Sequence, residues 1–184
     1  MKIHSLFSTP VWHIEKELPL GIYDWALEYE KNNKRRNLSN RGGYQSEPFP
    51  ITSTPFGNYI NNSLSFISDY NLSDAWLNIN RNHDYNETHC HPESDLAFIW
   101  YITDNDDKLG LVNPHAFTRS KLINIPNQIG SSDMPIEIVA DVIYPRCTAG
   151  DMLIFPADLL HSVLPTHKPE PRISISFNIS LPNS

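Results

Sequence analysis

From residue 74 onward, hydrophobicity repeats every second residue, in short runs broken by turn-forming residues, and this limits the fold more than any other feature. The runs are Trp76–Asn80, Leu96–Ile102, Lys121–Ile125, Ile136–Tyr144, Asp151–Phe155 and Arg172–Ile179. Asp104-Asn105-Asp106, Asn113-Pro114, Ser131-Ser132-Asp133 and Ala149-Gly150-Asp151 separate them with turn chemistry. A period of two puts alternate side chains on opposite faces of a strand. Several short strands without intervening helices predict an antiparallel sandwich or barrel. Fifteen prolines against seven glycines fit many turns and edges, and leave little room for long helices.

The first third is mixed. Ser5–Ile14 reads as a strand bent by Pro10, an edge that could pair with a second subunit. Ile22, Trp25, Ala26 and Tyr29 form the apolar stripe of an amphipathic helix. In a second helix Thr54 is the expected cap, Pro55 suits the first position, and Phe56, Ile60, Leu64 and Ile67 share a face. The expectation is one domain over residues 1–184, with two helices leaning on a β-barrel.

With 40% hydrophobic and 19% charged residues, the chain is neither disordered nor a coiled coil. A net charge of −7 argues against nucleic acid or an anionic membrane as partner. No run of 18 uncharged apolar residues occurs, and Met1–Phe7 lacks the apolar core of a secretory signal. Cys90 and Cys147 do not make a disulfide framework, so a reduced cytoplasm is the expected setting.

Three of the eight histidines carry the chemistry. His89 and His91 flank Cys90 just before the run Leu96–Ile102. In extended backbone they project to one face as a two-imidazole clamp, with Cys90 on the other as a small buried residue. Such a pair suits iron, copper, nickel or zinc alike. His161, among Leu159, Leu160, Val163 and Leu164, is either a satisfied core residue or a third ligand. In the last run Arg172, Ser174, Ser176 and Asn178 alternate with Ile173, Ile175, Phe177 and Ile179. The polar positions form a solvent face or, inside a barrel, a site where Arg172 forks a carboxylate and Ser174 adds a third bond. Eleven residues separate His161 from Arg172, enough for a loop and a return along a neighbouring strand. Three side chains on a metal leave positions for a chelating cosubstrate and dioxygen, the layout of an Fe(II)/2-oxoglutarate oxygenase.

The chain resembles the 2-oxoglutarate–Fe(II) oxygenase group of bacteria and phages, related at fold level to prolyl hydroxylases. The resemblance rests on Leu6–Trp12, Gly42–Ser46, Trp76–Asn80 followed by Asp84–Pro92, Leu153–Pro156 with His161–Val163, and Arg172–Asn178. It implies a mainly β double-stranded β-helix (a jelly-roll or cupin-like barrel), with Fe(II), 2-oxoglutarate and O2 as cofactor and cosubstrates. It also implies oxidative decarboxylation to succinate and CO2 coupled to hydroxylation of a protein side chain or a small molecule. His89 and His161 would be metal ligands, and Arg172 and Ser174 the cosubstrate clamp. Where most such oxygenases carry a carboxylate two residues after the first histidine, this chain has His91, with Glu93 and Asp95 as alternatives. Where the group has Ser-Gly, this chain has Ala97-Phe98, a pair expected to narrow the pocket; where it has Asp-Pro-Arg, this chain has Asn113-Pro114-His115.

Of Trp100 and Tyr101 only one can face the pocket, and Tyr101 either bonds a cosubstrate carboxylate or packs. Asn78 and Asn80 read as a solvent face, and His167 as an exposed loop residue. The competing readings are a cupin-like three-histidine metalloenzyme and an inactive barrel whose pocket Phe98 or Trp100 fills. The expected location is the cytoplasm of a bacterium or a phage-infected host.

Overall fold

The computed structural model describes residues 8–106, 108–115 and 140–182. The run Lys121–Ile125, the turn Ser131–Asp133, residues 136–139 of Ile136–Tyr144 and the start of Ser5–Ile14 lie outside the described residues. In chain order the strands begin with β1 (Trp12–Ile14), β2 (Asn40–Arg41), β3 (Tyr44–Gln45), β4 (Asn71–Leu72), β5 (Trp76–Asn80) and β6 (Tyr85–His89). They continue with β7 (Leu96–Tyr101), β8 (Leu109–Val112), β9 (Val142–Ile143), β10 (Met152–Pro156), β11 (His161–Val163) and β12 (Arg172–Ser180). The helices are α1 (Ile22–Asn32) and α2 (Gly57–Ser63). Among the described residues no helix is long and apolar enough to cross a membrane.

The strands form two antiparallel sheets. The larger is ordered β1-β10-β7-β12-β5-β3, with β4 also on β12, and the smaller β2-β6-β11-β8-β9. This is the expected mainly β jelly roll with two helices outside it. Strand β12 fixes which side chains face where. Ser174 lies opposite Asn78 and Tyr101, whereas Ile175 lies opposite Leu77 and Trp100. Since the pleat alternates, Ile173, Ile175, Phe177 and Ile179 go to one face with Leu77, Ile79, Phe98 and Trp100. Helices α1 and α2 cover that face through Ile22, Ala26 and Ile60, and the whole forms one buried apolar cluster. The opposite face looks into the space between the sheets, where Ala97, Ile99, Tyr101, Leu153 and Phe155 form a second cluster with Leu109 and Leu111. Phe98 and Phe177 stack at 4.1 Å in the outer core. Truncating either ring there would cost about 3–5 kcal/mol.

Several expectations are corrected. Asn78 and Asn80 are 7% and 1% exposed, so their shared face is the barrel interior rather than solvent. Phe98 and Trp100 point to the helices, where Trp100 stacks on Tyr59 at 5.2 Å, so neither fills the pocket. Thr54 does not cap α2. Its hydroxyl closes the preceding 3-10 turn by donating to the Ile51 carbonyl, and the helix begins at Gly57 without a side-chain cap. Cys90 is half-buried rather than buried. Strands β6, β8 and β11 carry no readable period: Tyr85–His89 has no apolar alternation, and Leu109–Val112 and His161–Val163 are only four and three residues long.

Candidate active site

Strands β6 and β11 are neighbours in the smaller sheet, and their register sets His89 directly opposite His161. His91, just past the end of β6, bends back to the pair; its backbone N–H donates to the Ala157 carbonyl at 2.7 Å. One ring nitrogen of each of His89, His91 and His161 lies within 4.8 Å of the other two. The ring centroids are 4.4 Å apart for His89–His161 and 5.2 Å for His91–His161. Trp76 stacks on the outer side of His91 at 5.6 Å, and the Phe155 ring meets His161 edge-on at 5.0 Å. Sequence reading missed both supports, since each comes from a different strand.

The tautomers follow from the hydrogen bonds. The Nδ1 of His89 lies 2.7 Å from the Glu87 carbonyl, and that of His161 2.8 Å from the Leu159 carbonyl. A carbonyl only accepts, so both Nδ1 atoms carry the proton and both Nε2 lone pairs point elsewhere. Burial pushes the His161 pKa down to about 3 and that of His91 to about 4, reinforced by the neighbouring imidazoles. His89 is lowered by the same burial. Near neutral pH the cluster is therefore three uncharged donors. The Asn178 side chain lies beside His91, but among the described residues neither the His91 Nε2 nor the Asn178 Oδ1 completes a hydrogen bond. Neutral, converging and incompletely bonded imidazoles fit a divalent metal ion. No carboxylate among the described residues joins this group. Asp95 instead accepts from the Leu181 N–H at 2.7 Å, and Glu93 is exposed.

Titration of the cluster makes a stability prediction. A histidine depressed in the folded state binds its proton more readily when unfolded, so acid favours unfolding. The contribution is complete above about 6.5 and is lost as the pH falls toward the folded-state values. For His161 the loss between pH 7 and pH 5 is about 2 kcal/mol. Denaturant midpoints of the metal-free protein at the two pH values should differ accordingly, and His161→Gln should flatten the difference.

The three histidines share a cavity with Arg172 and Ser174, enclosing about 470 Å³ of space free of protein atoms, its open mouth included. Arg172 is 3% exposed and Ser174 2%. The guanidinium Nε donates to the Asn105 Oδ1 at 3.0 Å, and its carbon lies 5.5 Å from the centre of the Tyr101 ring. Burial lowers the Arg172 pKa, yet no carboxylate forms an ion pair with it among the described residues. Tyr101, in the second apolar cluster, is fully buried beneath Arg172, with its hydroxyl beside the guanidinium. Asn78 donates to Ser176 at 3.2 Å farther along the same lining. Asn105 was missed as the arginine's companion: 67 residues separate the two, and only folding joins them. Ala97 turns its small side chain to the interior, whereas none of Asn113, Pro114 and His115 lines the cavity.

A jelly roll enclosing convergent imidazoles and a buried arginine defines the oxygenase class of this fold. The model of a family described as "Putative 2OG-Fe(II) oxygenase" matches residues 74–178, more than half of the chain. The chain belongs to this family of 2-oxoglutarate- and Fe(II)-dependent dioxygenases, whose cofactor and cosubstrates are iron, 2-oxoglutarate and O2. Among solved structures it is similar to HygX from Streptomyces hygroscopicus with nickel and 2-oxoglutarate bound. The two are 11% identical, with a TM-score of 0.65, over 96% of this chain and 84% of that one. A Pseudomonas putida prolyl-4-hydroxylase is 11% identical, with a TM-score of 0.61, over 94% of this chain and 93% of that one. The epimerase SnoN in complex with Fe3+, alpha ketoglutarate and nogalamycin RO is 15% identical, with a TM-score of 0.64, over 94% and 79%. At these identities the likeness is one of fold. A comparison with curated protein sequences finds no match.

Proposed function

We propose that this dioxygenase holds its iron with His89, His91 and His161 and grips the far carboxylate of 2-oxoglutarate with Arg172 and Ser174. The observation that carries the reading is the buried guanidinium, which has no anionic partner among the described residues, in one cavity with three neutral imidazoles. A buried cation is costly unless a counter-charge meets it, and a dicarboxylate spanning from the histidines would supply one. Bound iron supplies oxidation by dioxygen: R–H, 2-oxoglutarate and O2 become R–OH, succinate and CO2. The chain's own contribution is placement. Asn105 orients Arg172, the Glu87 and Leu159 carbonyls hold the tautomers of His89 and His161, and the enclosing apolar residues limit water.

Tyr101 supports Arg172 from below, and its hydroxyl could donate to the same carboxylate. The substrate would be a protein side chain or small molecule entering past Trp76. One domain covers the chain, and a reducing cytoplasm, bacterial or that of a phage-infected cell, suits ferrous iron and thiols that form no disulfide. A cupin-like three-histidine enzyme is the second reading, favoured by His91 standing where most oxygenases have a carboxylate. Anaerobic addition of Fe(II) and 2-oxoglutarate should produce a weak visible charge-transfer band, and admission of oxygen should release succinate. Metal binding with no spectral or thermal response to 2-oxoglutarate would favour the cupin reading.

A further inference from the structure

We propose that His13, Cys147 and Asp151 form a second cation site, separate from the three histidines, for a borderline-soft divalent metal such as zinc. One donor atom from each of the three lies within 4.8 Å of the other two. The fold assembles them from two stretches of chain. His13 is on the edge strand β1, opposite Leu153, and Asp151 precedes Met152 at the start of β10, so His13 and Asp151 project from the same face of adjacent strands. Cys147 approaches through the turn before β10, which needs Gly150 at φ +102; a Cβ there would lie 2.0 Å from the Lys16 carbonyl oxygen.

The carboxylate is already oriented as a ligand would be. Its Oδ2 accepts from the Thr148 N–H at 2.7 Å and the Thr148 hydroxyl at 3.1 Å. His13 Nε2 lies 3.2 Å from the same oxygen, close to the ~3.3 Å between two donors on a tetrahedral ion with bonds of ~2.0–2.1 Å. An ion pair alone would account for that distance, but not for a buried thiol converging on the same point. The His13 side chain is 35% exposed and that of Asp151 9%, so an ion can enter from solvent and keep water as a fourth ligand. Sulfur, imidazole and carboxylate together favour zinc-like ions over magnesium or calcium. On binding, the thiol proton passes to solvent and a sulfur–metal bond forms, with no change in oxidation state. The site sits behind the lumen arginine: the Cys147 carbonyl accepts from the Asn105 N–H at 3.0 Å, and Asn105 accepts from Arg172.

Cobalt reads the thiolate directly. Titrating Co(II) anaerobically into the metal-free full chain should raise a near-ultraviolet sulfur-to-cobalt band that saturates within two equivalents, one for each site, and is bleached by zinc. The band should survive His161→Ala and Cys90→Ser, and disappear in Cys147→Ser and His13→Ala. It does not depend on the lumen histidines, so failure of the oxygenase reading would leave it intact. No band in the unaltered chain, or one that persists in Cys147→Ser, overturns the site. If Cys147→Ser does not fold by circular dichroism, His13→Ala decides, because that partly exposed position tolerates truncation; an unchanged band there overturns the proposal.

Discussion

His161→Ala should yield a folded protein that no longer retains ferrous iron and releases no succinate. The position is 4% exposed, so loss of the ring leaves a void against Phe155, but no apolar layer between helices and sheet depends on it. The functional loss should be much larger than the structural one. Removing a group that merely orients a ligand costs ~10–100-fold in metal affinity or activity, and removing the ligand itself should exceed that range. Iron content after desalting and succinate formation should fall together, while the melting transition stays cooperative. A His161→Ala protein with undiminished iron content would show that the imidazoles are core residues and nothing more.

Arg172→Met should weaken 2-oxoglutarate binding at least ~30-fold while leaving the metal-free protein at least as stable. Both outcomes have the same physical origin. The guanidinium is buried, held by Asn105 and the Tyr101 face, and faces no carboxylate among the described residues. Methionine fills similar space without the desolvation cost, so denaturant midpoints should hold or rise. The ligand, by contrast, loses the partner of a buried charge. That costs about 2–5 kcal/mol, or ~30-fold to several thousandfold in Kd. The stabilisation that 2-oxoglutarate confers on the unaltered protein, about 2.7 kcal/mol at a hundred times Kd, should fall below about 1 kcal/mol at the same concentration. Arg172→Lys should rescue little, since an ammonium cannot present the planar fork. Equal 2-oxoglutarate affinity in the arginine and methionine forms would remove the basis of the clamp.

Much of the scaffold was legible locally. Trp76–Asn80 was read to the residue, and Arg172–Ile179 fell one short of the observed strand, because nine alternating residues leave little doubt about period. Phe56, Ile60 and Leu64 are buried together with Ile67 partly buried beside them, although of the four only Ile60 lies within the helix. The helix start was misplaced because the Thr54 hydroxyl closes the 3-10 turn onto the Ile51 carbonyl and accepts only from the Phe56 N–H, ahead of the first helical residue Gly57. The candidate site was legible as residue types in order: two histidines, a distal third, then Arg-x-Ser. Its supports were not. Trp76 against His91, Phe155 against His161 and Asn105 on Arg172 each join segments that only strand pairing makes adjacent.

What the amino-acid order determined by itself was alternation: which side chains share a face of β5 or β12, and hence that Arg172 accompanies Ser174, and Asn78 accompanies Asn80. It could not say which face meets water. The common rule turns polar residues outward, and it fails here because helices α1 and α2 coat the outer face of the larger sheet, drawing the isoleucines to that side. The polar row must then turn into the lumen, where a buried arginine becomes a binding group rather than a surface charge. That choice belongs to the tertiary structure, because a strand's pattern is unchanged when its two faces are exchanged and only the layers packed on it break the symmetry.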